Sequence, residues 1–261
     1  MKVGPLDHIH RILDSVSVEG LWNALLDVVG GYGFDRLFYV STQLGTQDSW
    51  GSKVDWLLLT NHHREIVDRF VGEDLYKSTA KVHRPPGGKA GAYSWRETRR
   101  RDSDAELTEA EQRHLELTRA HDVTSGYTIW FPAHNSRSKS VLGMCARSGL
   151  SQEDVDAVWA HAGDEIHALV QIAHLKLLSL PPPDDRKRLT ARQVEILEWT
   201  ADGKTVRDIA EILDLSLGTV EKHLRQTRQA LNVGTTAEAV LKAAALNQLF
   251  LIKAKGAPED R

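Results

Sequence analysis

Three consecutive prolines, Pro181-Pro182-Pro183, followed by the charged run Asp184-Asp185-Arg186-Lys187-Arg188, cut the chain in two. Each proline fixes φ and removes a backbone donor, so no helix or central strand continues through them, and the segment reads as a stiff, exposed connector. The expected organisation is a first domain at residues 1–180, a linker at 181–188 and a second domain at 189–261. With 261 residues in all, each part has volume for its own core.

The second part reads as helices only. Thr190-x-x-Gln193 is a capping box ahead of Val194, Leu197 and Ala201, and Gly203 ends that helix. A second helix opens at Thr205, three residues before Asp208. The break Asp214-Leu215-Ser216 separates it from a third, at about residues 217–231, with Val220, Leu224 and Leu231 inward. A fourth, opened by Thr235-Thr236-Ala237-Glu238, brings Val240, Leu241, Ala244 and Leu249. Two short helices with a tight turn between them are what reading a DNA major groove requires. On the outward face of the third helix Glu221, Arg225 and Arg228 fall at i, i+4 and i+7, beside Lys222, Gln226 and Gln229. Arginine pairs bidentately with guanine, and glutamate accepts from the cytosine amino group. The plainer alternative is that Glu221 and Arg225 form a surface ion pair worth a few tenths of a kcal/mol.

The first part mixes periods. Helix patterns at about 6–16 and 18–29 precede strand-like runs at 37–42 and 56–60. A helix at 63–70, a strand-like piece at Tyr93-Ser94-Trp95 and a helix at 107–121 opened by Thr108-x-x-Glu111 follow. Two strands at 127–133 and 141–147, joined by a short polar turn, imply an antiparallel sheet. A helix then runs from about 151 to 178, with Val155, Val158, Trp159, Ile166, Leu169, Val170, Ala173 and Leu177 at helical spacing. That stripe offers a self-complementary dimer surface. The expected fold class is α+β: an N-terminal α-β-α sandwich with an antiparallel sheet, then an all-α four-helix helix-turn-helix domain.

Several functions are excluded. Hydrophobic residues at 41% and charged residues at 26% describe a globular chain rather than a disordered one. The first residues lack the apolar core of a signal peptide, no apolar run spans a bilayer, and the one cysteine, Cys145, cannot form an internal disulfide. A cytoplasmic protein without a membrane partner is expected. His8 and His10 are two apart and His167 and His174 seven apart, so no metal site and no cofactor are expected. No nucleophile, base and orienting group are legible together, which argues against an enzyme. Arg99-Arg100-Arg101-Asp102 reads as a solvated loop.

The segment Leu189-Thr190-x-Arg192-x-x-Glu195-Ile196-Leu197, Ala201-Asp202-Gly203-Lys204-Thr205, Asp208-Ile209-Ala210-x-x-Leu213, Ser216-x-x-Thr219-Val220-x-x-His223-Leu224 closely resembles the DNA-binding domain of the LuxR family. The resemblance implies a four-helix bundle whose third helix reads bases. It implies DNA contacts at Trp199, Lys204, Thr205, Thr219, Glu221, Lys222, Arg225 and Arg228, with Trp199, Lys204 and Thr205 matching positions that hold phosphate. Gln193, Ala230 and Thr236 stand where the family usually has Glu, Lys and Arg.

The first part resembles the autoinducer-binding domain of the family's quorum-sensing members, which encloses an acyl-homoserine lactone. The likeness rests on Val67-Asp68-Arg69-Phe70-Val71-x-Glu73-Asp74-Leu75-Tyr76, on Ser125-Gly126-x-Thr128-Ile129 and on the order of elements. By spacing, the Trp, Tyr and Asp that hold the lactone carbonyl, acyl carbonyl and amide become Ile66, Phe70 and Thr79; a Pro becomes Ala80 and a pocket Tyr becomes His62. Trp95, after a one-residue insertion, and Gly126 keep the expected identity, and Thr128 and Cys145 complete the candidate pocket. A buried polar group left without a partner costs roughly 1–3 kcal/mol, so a standard lactone is expected to lose on the order of 100-fold in affinity or more. The implied protein is a homodimeric regulator that binds a two-fold symmetric duplex site, its signal being a small molecule other than a standard acyl-homoserine lactone. The alternatives are a ligand-independent regulator and an interaction module that heterodimerises with a related regulator.

Overall fold

The computed structural model describes residues 4–46, 48–76, 89–96, 108–181, 183 and 188–250. Thr79, Ala80, the Arg99–Asp102 run and most of the connector lie outside the described residues. The chain forms two compact units, Met1–Leu178 and Ser179–Arg261.

The first unit has the element order α1 (Pro5–Leu13), α2 (Val18–Gly30), β1 (Phe34–Thr42), β2 (Leu57–Thr60), α3 (Arg64–Gly72), β3 (Gly91–Ser94), α4 (Glu109–Ala120), β4 (Gly126–Trp130), β5 (Lys139–Ala146) and α5 (Gln152–Ser179). The strands make one antiparallel sheet in the order β2-β1-β5-β4-β3. The α+β sandwich is the one the sequence implies.

Alternation along the strands gives the sheet two different faces. Leu37, Tyr39, Ile129, Leu142 and Met144 are paired in register and almost wholly buried. This face receives α5. Trp159 stacks on Tyr127 at 4.1 Å and meets Phe34 edge-on, while the Tyr39 hydroxyl and His174 Nδ1 share a hydrogen bond at 3.0 Å. Asp156 of α5 accepts from Ser94 (2.8 Å), Tyr127 (3.0 Å) and Gln152 (2.9 Å) and pairs with Arg96 at 2.8 Å. Burial would raise its carboxyl pKa, but these bonds hold it below the usual range.

This packing corrects one expectation. The apolar stripe Val155, Ile166, Leu169, Val170, Ala173 and Leu177 is buried within the protomer's own core, and Trp159 is stacked on the sheet. The stripe is therefore not a docking surface for a second copy.

The second unit consists of α6 (Ala191–Ala201), α7 (Val206–Leu213), α8 (Leu217–Leu231) and α9 (Thr236–Ala245). Reciprocal capping boxes open three of them: Thr190 with Gln193, Thr205 with Asp208, and Thr235 with Glu238. Gln193 thus performs the capping that its amide permits. The core joins Leu189, Ile196, Leu197, Ile209, Val220, Leu224 and Leu231 to Ala239 and Ala243 of α9. Of the expected inward residues, Leu249 is buried and Val240 packs against the core, whereas Leu241 is 55% exposed and Ala244 is exposed, Ala239 and Ala243 taking the inward positions instead. Among the described residues, no helix is long and apolar enough to cross a membrane.

Candidate nucleic-acid interface and ligand chamber

Asp214, in the left-handed region at φ 50°, ends α7, and Ser216 caps α8 by accepting from the Thr219 N–H at 3.2 Å. Aspartate tolerates this conformation better than most residues, so the turn needs no glycine. The resulting α7–turn–α8 is a helix-turn-helix. Val220, Leu224, Thr227 and Leu231 are buried, which turns Glu221, Lys222, Arg225, Gln226 and Gln229 outward into solvent. No side-chain hydrogen bond or ion pair engages Glu221, Lys222 or Arg225 among the described residues. The surface ion pair between Glu221 and Arg225 is thus not formed.

Other expected DNA contacts are placed differently. Arg228 is half-buried and donates to the Thr236 hydroxyl at 3.0 Å, tying α8 to the start of α9. Thr219 is half-buried, its hydroxyl 2.8 Å from that of Ser216. The Asp208 carboxylate accepts from the Thr205 N–H at 2.9 Å and from its hydroxyl at 2.8 Å, and these bonds hold the carboxyl below the usual range. Lys204 beside it is exposed, and Trp199 is half-buried against the helical core.

In the first unit, the sheet face opposite α5 carries Phe38, Val40, Thr128, Trp130 and Tyr93, with Gly143 in register between Phe38 and Thr128. A Cβ added at Gly143 would meet nothing among the described residues nearer than the Phe38 carbonyl oxygen at 3.9 Å, so the described residues leave room for a side chain directly above this mid-sheet position. Aromatic rings wall it. Phe70 of α3 stands edge-on to Phe38 at 5.0 Å and lies 5.6 Å from His114; Trp50 contacts Trp56 and Trp130; and Trp56 meets Tyr76 at 4.9 Å.

Polar groups on this side are few. The Trp95 indole donates to the Thr128 hydroxyl at 2.9 Å, so its N–H already has a partner inside the protein. His62, half-buried 6.4 Å from Phe38, keeps Nδ1 without a hydrogen-bond partner among the described residues. Burial, with the Arg36 charge second, lowers its pKa to about 4, so the ring is neutral. Ile66 is buried on α3. Cys145 is fully buried, and burial pushes its thiol up to about 12, which leaves it inert as a nucleophile. Gly126 is demanded by packing: a Cβ there would sit 2.1 Å from the Met144 carbonyl oxygen. Ring contacts, the Trp95–Thr128 bond and strand register thus bring His62, Phe70, Trp95, Thr128 and Cys145 to this face.

Sequence spacing missed two features. Gly143 reads as an ordinary strand residue until the register places it at mid-sheet. The other is a cluster of His63, Glu65 and His121, whose candidate ligand atoms all lie within 4.8 Å of one another although the residues span two helix ends.

Comparison with known proteins matches residues 17–177 to the autoinducer binding domain and residues 187–243 to the bacterial regulatory proteins of the luxR family. Among curated relatives, the HTH-type quorum sensing-dependent transcriptional regulator RpaR of Rhodopseudomonas palustris is 33% identical over 141 residues, covering 53% of this chain and 55% of RpaR. Transcriptional activator protein ExpR of Pectobacterium parmentieri is 25% identical over 192 residues, 68% of this chain and 74% of ExpR. The chain therefore spans about half the length of the first and three quarters of the second. The solved structure of SdiA in complex with octanoyl-rac-glycerol superposes with a TM-score of 0.51 at 18% identity, covering 93% of each chain, which establishes a shared fold.

Proposed function

The chain belongs to the LuxR family of bacterial regulatory proteins and carries an autoinducer-binding domain, and on that premise we propose that it is a homodimeric, sequence-specific DNA-binding regulator. Its family is one of transcriptional regulators of quorum sensing, not of enzymes. The observation that carries the proposal is the solvent-facing stripe of α8, where Glu221, Lys222 and Arg225 stand free of other side chains on a helix fixed by its buried side. A base-reading surface has to be unengaged before DNA arrives. The same stripe favours a DNA reader over a module that acts only by heterodimerising, for which a preserved recognition helix has no use. One helix reads only a half-site, so specificity calls for two copies on a two-fold symmetric duplex. With the α5 stripe occupied by the protomer's own sheet, the dimer contact lies elsewhere.

Residues 1–180 form the signal-receiving part, 181–188 the linker and 189–261 the DNA-binding part. The signal is a small, largely apolar molecule that lies over Gly143 between aromatic rings and is not a standard acyl-homoserine lactone. Ile66 and Phe70 offer a headgroup no hydrogen bond, and the Trp95 donor already serves Thr128. The test is selection of duplexes from a randomised pool by the full chain. A palindromic consensus that loses information at one base pair per half-site in Arg225→Ala is expected; enrichment of no sequence, or an unchanged consensus in that variant, overturns the assignment.

A further inference from the structure

We propose that His63, Glu65 and His121 form a zinc site that clamps the start of α3 to the end of α4. His63 caps α3, Glu65 lies in its first turn, and His121 is the C-cap residue of α4. The two helices pack together beside the open sheet face, through Phe70 and His114. His121 Nε2 and Glu65 Oε2 are 3.4 Å apart. Two ligands of a tetrahedral zinc, each bonded at about 2.0–2.1 Å, stand about 3.3 Å apart, so this pair already has the required spacing. The His63 ring stacks on His121 with centroids 5.2 Å apart, and its candidate ligand atom lies within 4.8 Å of the other two, so a small turn of this exposed ring completes the set.

The donor set selects the metal. Two imidazoles and one carboxylate suit zinc and its borderline neighbours, whereas magnesium and calcium prefer oxygen alone. The groups around the cluster permit binding. His121 is held by its own carbonyl, which accepts from Arg36 Nη1 at 3.0 Å, and the Arg36 charge is offset by Asp35 at 3.2 Å. The contact from the Glu65 N–H to His63 Nδ1 is long, at 3.4 Å, so the ring can turn towards a metal at small cost. His63 and Glu65 are exposed, giving an ion a path in. Three protein ligands leave the fourth position to water. A metal bridging α3 and α4 fixes the helices that carry Phe70 and His114, and so sets the height of the chamber above the sheet.

The experiment uses the full chain stripped with chelator and titrated with zinc chloride by calorimetry, with thermal unfolding in parallel and magnesium as the oxygen-preferring control. One equivalent of zinc is expected to bind and to raise the unfolding midpoint by several degrees, magnesium leaving it unmoved. Glu65→Gln and His63→Ala, both exposed and compatible with folding, should each weaken zinc binding by about tenfold or more, whereas His161→Ala, an exposed histidine elsewhere, should not. Absence of a saturable single site overturns the proposal, and so does one-equivalent binding that the Glu65 and His63 variants leave intact.

Discussion

In the C-terminal unit the residues assigned to recognition, Glu221, Lys222 and Arg225, stand in solvent, and the opposite side of their helix, Val220, Leu224 and Leu231, forms the core. In the N-terminal unit the residues assigned to recognition face inward, and the sheet divides the labour. One face, from Leu37 to Met144, is packed against α5; the other is ringed by aromatics and, among the described residues, leaves room above Gly143. Substitution therefore has different consequences in the two units. On α8 an outward side chain can change without touching the fold, while around the sheet a chamber residue and a core residue differ by one strand position.

The largest expected effect lies in the sheet. Gly126→Ala should destabilise the first unit by about 3 kcal/mol or more, read by chemical denaturation, because the new Cβ collides with backbone rather than with a movable side chain. A variant as stable as the parent would mean that the β4–β5 pair can shift, and the distinction between the two faces would fail.

Comparable in size is the acid sensitivity that buried histidines give the same unit. His114 and His174 are buried, and burial lowers both to about 4, against 6.5 for an unfolded histidine. Between those values the unfolded chain binds more protons, so stability rises with pH across that window. The contribution is complete above pH 7 and is lost as pH falls from 6.5 towards 4, by about 3 kcal/mol for each ring. Replacing His174 by Gln should flatten that slope; an unchanged slope would show that the ring titrates normally.

A smaller effect belongs to α8. Arg225→Ala should cost about 1–3 kcal/mol on the selected duplex and little on random DNA, whereas Lys204→Ala should weaken both and reduce the salt dependence. Filter binding at two salt concentrations separates these outcomes. Equal losses for Arg225→Ala on both duplexes would remove it from base reading and leave the two units less different than they look.

How much of this was legible in the sequence follows from the range of each interaction. Capping boxes such as Thr108 with Glu111 and Thr190 with Gln193 connect residues three apart, and both form as the spacing implies. The helix-turn-helix is equally local. The α5 stripe was legible as apolar but not in its destination, because which surface it covers depends on Tyr127 and Phe34, both distant in sequence. The bond from Trp95 to Thr128 spans 33 residues and comes from strand register, as does the open position of Gly143. Arg228 reads as part of the outward stripe until Thr236 captures it. Local chemistry therefore marked the DNA-reading unit well, and the chamber only by its members.

The difference between the units is tested most directly by thermal unfolding of the full chain purified without lactone, in the presence and absence of short-, long- and aryl-chain homoserine lactones. A ligand at 100 times its dissociation constant adds about 2.7 kcal/mol to the native state, so binding cannot be missed. The account predicts folded protein whose midpoint no standard acyl-homoserine lactone moves. A shift of several degrees with one of them, abolished by filling the chamber with Gly143→Leu, would contradict it and make this chain an ordinary lactone receptor.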